Sequence, residues 1–226
     1  MKITFLGHAC FLIDGNGVSV IIDPYLNDNP AAAVRPDDVA PGWILVTHGH
    51  SDHLGDTIEI ARKNGSTVIA PTELARYCQR HGCKAHAMYI GGSHDFGGFR
   101  VKMTLAFHGS SQGSPAEYLG HPCGFLLTME GKTVYHTGDT GLFGDMELIG
   151  RRHAIDLALL PIGDNYTMGP DDAVEAARLL KPGRVVPMHY NTWDIINQDA
   201  QAFKKDLEAR TGIPAATLNP GDTLEL

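Results

Sequence analysis

Six consecutive residues, His48-Gly49-His50-Ser51-Asp52-His53, supply three imidazoles and a carboxylate. These are the side chains that bind zinc and other borderline or hard divalent ions. Four such groups in six residues cannot easily surround one ion. The spacing instead lets His48 and His50 face one metal while Asp52 and His53 face a second. The segment follows Trp43-Ile44-Leu45-Val46, a continuous apolar run that reads as a short buried strand, and a strand end is a rigid platform for a chemical loop. A polar surface loop with incidental histidines is the plainer alternative, but the flanking strand and helix are those that a site would need.

A two-metal centre requires further ligands, and three candidates also follow apolar strands. They are His108 after Thr104-Leu105-Ala106-Phe107, Asp139 after Val134-Tyr135-His136-Thr137-Gly138, and His189 after Val185-Val186-Pro187-Met188. Each alone could be an ordinary strand-end histidine or turn aspartate; their shared position groups them. Two divalent ions can lower the pKa of a water from about 15.7 to roughly 7, giving a hydroxide that attacks a carbonyl or phosphoryl centre without a serine or cysteine nucleophile. Asp52 could accept a proton as well as bind metal. His136 and Tyr190 neighbour candidate ligands and could donate to a substrate or serve structure, while Asn165 and Tyr166 could line a rim. Ser110 to Ser114 reads as an ordinary connection at the site mouth, since the Gly-Lys-Ser/Thr ending of a phosphate loop is absent.

The elements that must position these groups are legible from patterning. Strands are expected at Ile3–Leu6, Cys10–Asp14, Val18–Asp23, Trp43–Val46 and Thr67–Ala70, with Gly15-Asn16-Gly17 turning a hairpin. Residues 24 to 42 read as a surface loop. Helices are expected at Leu54–Lys63 and Thr72–Arg80. Strands over Lys84–Ile90, Phe99–Phe107, Gly124–Met129 and Thr133–His136 form a middle meander. Then come strand Asp156–Leu160, helix Pro170–Leu180, strand Arg184–Met188, helix Gln198–Thr211 and a final strand Ala215–Leu218. Alternating elements at both ends around a meander favour two sheets with helices on their outer faces, an α+β fold in one domain spanning residues 1–226.

Composition narrows the function classes. The chain has 226 residues, 43% apolar, with 18 Lys plus Arg against 26 Asp plus Glu and a formal charge of -8. Basic residues are scattered, which disfavours nucleic-acid binding. No apolar run is long enough for a membrane span. Met1 to His8 leads straight into a strand, with no secretory h-region, so a cytoplasmic location is expected. The four cysteines form no C-x-x-C pair and read as buried free thiols. A homo-oligomer is expected only on general grounds.

Taken together, these motifs resemble the metallo-beta-lactamase superfamily of metal-dependent hydrolases. Gly7-His8-Ala9, Ile22-Asp23-Pro24, Tyr135 to Gly141, Pro161 to Pro170 and Met188 to Thr192 are most similar to its small bacterial and archaeal branch of predicted metal-dependent hydrolases (UPF0173-like), and more distantly to ascorbate-phosphate lactonases. The resemblance implies a four-layered αβ/βα sandwich. It implies that His48, His50 and His108 hold one ion, that Asp52, His53 and His189 hold a second, and that Asp139 bridges. Asp23 matches a supporting position, and His8 a first-loop position that faces the cleft or packs behind it. Asp52, Asp139, His136 and His8 are thus the candidate catalytic residues. Histidine dominance favours zinc, with manganese, iron or nickel as alternatives. The positive metal centre suits a small or medium anionic ester, lactone or phosphoester. The competing readings are a phosphodiesterase acting on nucleotides, nucleic-acid ends or phospholipids, and a non-catalytic metal-binding regulatory or scaffold protein.

Overall fold

In the computed structural model, which describes residues 1–226, the first half of the chain builds one sheet and its cover. Strands β1 (Lys2–Gly7), β2 (Cys10–Gly15) and β3 (Val18–Ile22) form a meander. They are followed by β4 (Trp43–Leu45), helices α1 (Ser51–Leu54) and α2 (Thr57–Asn64), β5 (Thr67–Pro71), α3 (Thr72–Arg80) and β6 (Lys84–Met88). The second half contributes β7 (Ser93–Asp95), β8 (Arg100–Leu105), a small hairpin of β9 (Ser111–Gln112) and β10 (Glu117–Tyr118), β11 (Cys123–Met129) and β12 (Lys132–His136). Helix α4 (Met146–Arg152), β13 (Leu157–Pro161), α5 (Pro170–Leu180), β14 (Val185–Met188), α6 (Ala200–Thr211) and β15 (Thr223–Glu225) complete it.

The sheets have strand orders β15-β1-β2-β3-β4-β5-β6 and β14-β13-β12-β11-β8-β7. Their facing sides share one core that includes Phe5, Phe11, Ile22, Leu45, Ile69, Val101, Phe125, Leu159 and Val186. Strand periodicity sends alternate residues to the outer faces. Ile21, Ile44 and Val68 pack under α2 and α3, and Ala158 and Leu160 under α4, α5 and α6. Strands buried on both faces are therefore apolar at every position, as Leu157–Pro161 is. The result is the expected αβ/βα sandwich.

Strand direction fixes where the chemistry lies. Strands β3, β4, β5 and β6 run parallel, and two antiparallel hairpin pairings give β1 the same direction. Strands β12, β13 and β14 are likewise parallel, with β8 aligned to them through β11. The loops after β1, β3, β4, β8, β12 and β14 consequently meet at one end of the sandwich.

Several local expectations differ from the structure. The anticipated Leu54–Lys63 helix is two helices, broken at Gly55 and Asp56. A Cβ on Gly55 would press on the Pro24 carbonyl, and its φ is 39°; Asp56 instead accepts hydrogen bonds from the backbone of Leu26 (2.8 Å) and Asn27 (3.0 Å). Residues 24 to 42 are less superficial than a surface loop, because Tyr25, Leu26 and Val39 are buried. Ala215–Leu218 contributes only a single bridge, between Ala215 and Val185, and the sheet edge is β15. All four cysteines are free and buried. No helix is long and apolar enough to cross a membrane.

Candidate metal centre

The loop after β4 presents the motif. His50 sits at the N-cap of α1, so the chain turns sharply and sends His48 inward ahead of Asp52 and His53. Asp23, at the end of β3, holds this turn from behind. Its Oδ1 accepts the Thr47 N–H at 2.8 Å, and its Oδ2 accepts the Thr47 hydroxyl at 2.6 Å and His53 Nδ1 at 2.7 Å. Having given its proton to Asp23, the Thr47 hydroxyl accepts from His48 Nδ1 at 3.0 Å. Both imidazoles are thereby fixed with Nε2 facing the centre, as a metal-binding tautomer requires. Ser110 supports the same loop by accepting the Gly49 N–H at 3.1 Å, so it is a buttress and not an anion site.

The other strand ends supply the remaining groups. Thr140 accepts the Phe107 N–H at 2.9 Å and so ties the Asp139 loop to the segment that carries His108. The backbone N–H of His189 donates to the His8 carbonyl at 2.8 Å. Both residues have left-handed backbones, with φ of 56° for His189 and 57° for His8. His8 donates from Nε2 to Asp52 Oδ2 at 3.2 Å, because a carboxylate can only accept, and its Nδ1 then accepts the Thr192 hydroxyl at 2.7 Å.

Three groups of side chains have ligand atoms all within 4.8 Å of one another: His48, His50 and His108; His8, Asp52, His53 and His189; and His48, His53 and Asp139. The structure thus brings together all seven ligand positions expected from sequence and adds His8 to the second group. Asp139 lies between the groups. Its Oδ2 is 3.0 Å from His189 Nε2, 3.2 Å from His53 Nε2 and 3.6 Å from His108 Nε2.

His136 is not brought to the cleft. Its Nε2 donates to the Ala9 carbonyl at 2.9 Å and its Nδ1 accepts the Gly138 N–H at 3.1 Å, with the ring fully buried. Neither nitrogen is free to meet a substrate; the side chain locks the His8 turn against the Asp139 loop. Tyr190 also points elsewhere, packing against the core beneath α5 and α6. Asn165 does not line the cleft, whereas Tyr166 does.

The polar atoms left without partners show that this donor set fits cations. Of five buried side-chain N or O atoms lacking a hydrogen bond, four are His53 Nε2, Asp139 Oδ1 and the two ring nitrogens of His189. Buried polar groups are rarely left so. The short imidazole–carboxylate approaches are close enough for ion pairing but not aligned for hydrogen bonds. Lone pairs turned toward carboxylates in a buried site need positive charge between them.

Without metal, protons supply part of that charge. Burial opposes charge on His53 and His189, but the nearby carboxylates, Asp139 foremost, outweigh it and push His53 well up and His189 up to about 9. Burial alone would raise Asp52 and Asp139; the surrounding histidines reverse this and hold both below the usual carboxylate range. Burial lowers His48, His50 and His108, leaving the first group as neutral imidazoles, the form that binds metal. His8 is lowered to about 4, by burial and then by His189.

Above these groups opens a cavity of about 440 Å³. His50, Asp52, His108, Asp139 and His189 reach it from below, and Tyr25, Tyr166, Trp193 and Ile195 stand at its side. Tyr25, Trp193 and Ile195 were not legible as site residues, because each lies in an irregular segment with no periodic pattern or ligand-type side chain to mark it.

Comparison with known proteins agrees with this geometry. The model of the beta-lactamase superfamily domain matches residues 2–189. A UPF0173 metal-dependent hydrolase of Desulforamulus reducens is 57% identical over 231 residues, covering 100% of both chains. A second, from Bacillus cereus, is 48% identical over 230 residues with the same coverage. Igni18, a metallo hydrolase from the archaeon Ignicoccus hospitalis, superposes with a TM-score of 0.91 at 35% identity, over 100% of this chain and 98% of that one. The chain belongs to the metallo-beta-lactamase superfamily and is a metal-dependent hydrolase.

Proposed function

We propose that this hydrolase works with two divalent ions. His48, His50 and His108 would hold one; Asp52, His53 and His189 would hold the other; Asp139 would lie between them. The observation that carries this reading is the position of one carboxylate oxygen, Asp139 Oδ2, within 3.6 Å of imidazole nitrogens from both groups. Zinc suits a donor set dominated by imidazole, and manganese, iron or nickel would also be accepted. When bound, such ions supply a hydroxide nucleophile from water near neutral pH and Lewis acidity for the substrate oxygen.

The chain's own residues prepare that chemistry. Asp23 and Thr47 fix the tautomers of His53 and His48, and His8 holds the Asp52 carboxylate toward the cleft. Asp52 reaches the cavity and would serve as a ligand and as a proton acceptor. Two divalent ions would bring four positive charges against the carboxylates of Asp52 and Asp139 and one hydroxide, and the positive charge left over favours a single anionic group at the reacting position.

The substrate is accordingly a small or medium ester, lactone or phosphoester with one negative charge near the scissile bond. Nucleic-acid ends and other polyanions receive less support, because no Lys or Arg lines the cleft. The test is a panel of aryl phosphodiester, lactone, ester and amide substrates with zinc-loaded and chelator-treated protein. Metal-dependent turnover of an ester, lactone or phosphoester is expected. Turnover of amides alone, or of nothing, would contradict the reading.

A further inference from the structure

The floor of the cleft is polar, but one wall is not. Ile195, Tyr166 and Trp193 are 57%, 51% and 36% exposed beside the candidate metal centre, and the largely buried Tyr25 lines the same cleft. Large apolar side chains gathered in water around convergent polar groups mark a binding surface rather than ordinary packing.

This wall is held in place from behind. The Tyr25 hydroxyl donates to the Asp28 carbonyl at 2.6 Å, which anchors a side chain that is largely buried yet lines the cleft. Its centroid is 6.3 Å from that of Trp193. Trp193 and Ile195 are presented by a short 3-10 turn over Asp194–Ile196, pinned where buried Ile196 donates to the Trp193 carbonyl (3.0 Å) and accepts from the Asn191 N–H (3.0 Å). Tyr166 follows two left-handed residues, Asp164 and Asn165, with φ of 63° and 45°. The Asp164 N–H closes that turn on the Met168 carbonyl at 3.0 Å. Rigid rings of this kind lose little entropy when they meet a ligand.

The wall is also one-sided. Tyr25 and Trp193 both lie against the His8 ring, at 5.7 and 5.0 Å between centroids, and His8 bonds Asp52 and packs, tilted, with its centroid 4.0 Å from that of His189. It therefore stands over the Asp52 and His189 side of the centre, not over His48, His50 and His108.

We infer that the substrate carries an aromatic or similarly flat apolar group beside the scissile bond, and that this group packs on Tyr25 and Trp193 over the Asp52 and His189 side. The inference rests on the hydrolytic reading of the cleft and narrows its substrate class. A cavity of about 440 Å³ has room for a ring beside the reacting group. Burying a ring against two aromatic residues is worth about tenfold or more in affinity.

The test uses zinc-loaded protein and two probes, phenylphosphonate and methylphosphonate. The chain has two tryptophans, so Trp43→Phe leaves Trp193 as the sole reporter; Trp43 packs on Phe96 and Phe99, where a phenyl ring can replace it. Phenylphosphonate is expected to quench Trp193 emission and to bind about tenfold or more tighter than methylphosphonate. By calorimetry on the otherwise native chain, Trp193→Ala should abolish that preference and Trp193→Phe should retain most of it. Tyr89→Ala, at an exposed position outside the cleft, should leave it intact. Equal affinities, a preference that survives Trp193→Ala, or no binding of either probe would overturn the inference. The hydrolytic reading fails separately: phenyl preference without metal-dependent turnover of any substrate would sustain the wall and sink that reading, while turnover without phenyl preference would do the reverse.

Discussion

His53 and Asp23 are joined by a 2.7 Å hydrogen bond between two fully buried side chains. The same carboxylate takes two more hydrogen bonds from Thr47, so one aspartate sets the orientation of both His53 and His48. Asparagine has a single acceptor oxygen and cannot replace all three. Asp23→Asn is expected to weaken metal binding about 10- to 100-fold, measured by competition with a chromogenic chelator. Unchanged affinity would show that the motif loop holds its geometry unaided.

The link between His8 and Asp52 joins the turn after β1 to the segment after β4 and reaches Thr192 after β14. Removing it should leave Asp52 free to swing. His8→Ala is expected to lower kcat about tenfold or more, with His8→Gln recovering part of the loss because its amide can still donate to Asp52. Steady-state kinetics on both variants, with metal content measured alongside, checks this. Equal kcat in the wild type and His8→Ala would remove His8 from the machinery.

The pH dependence of the metal-free protein follows from two shifted histidines. His189 is raised from its unfolded value of about 6.5 to about 9, so its contribution is fully present below pH 6.5 and is lost as pH rises toward 9. His8 is lowered to about 4, so its contribution is present above pH 6.5 and is lost as pH falls toward 4. Chelator-treated protein should therefore melt highest near pH 6.5 and lower on either side. Metal must displace the protons of His53 and His189, so metal affinity should climb with pH up to about 9. Thermal melts and metal titrations from pH 5 to 9 measure both trends; a metal affinity that falls with rising pH would contradict the account.

Gly138 precedes Asp139 with φ of 64°, and a Cβ there would press on the Cys123 carbonyl and crowd Thr47. Gly138→Ala is expected to cost about 2–4 kcal/mol of stability and to displace Asp139. Denaturant unfolding of the two proteins reports the cost directly.

The candidate ligand residues that the structure brings together were legible in sequence because their information is local. His48 to His53 are spaced within one turn, and His108, Asp139 and His189 each close an apolar strand. The layered architecture followed from runs such as Leu157–Pro161, apolar on both faces. What escaped depends on contacts between distant segments. Helix α4 is seven residues long with one buried side chain, too short for a periodic signal. Its Gly150 is explained only by close approach to the Leu179 and Leu180 carbonyls of α5. The Ala215–Leu218 run has strand composition but no neighbour beyond one bridge. His136 had the spacing of a site residue, yet its ring nitrogens are used by Ala9 and Gly138. The aromatic wall is assembled from loops after β3, β13 and β14, so no stretch of sequence contains it.

The place of Asp139 between two groups of ligands is the centre of this account, and metal stoichiometry tests it most directly. Wild-type protein and Asp139→Ala, purified and loaded with zinc in parallel, are dialysed and counted by elemental analysis while hydrolysis is assayed. The wild type should retain two ions per chain, and the variant at most one, with activity down about 100-fold or more. Two tightly held ions and unaltered hydrolysis in Asp139→Ala would contradict the bridging role and the dinuclear reading built on it.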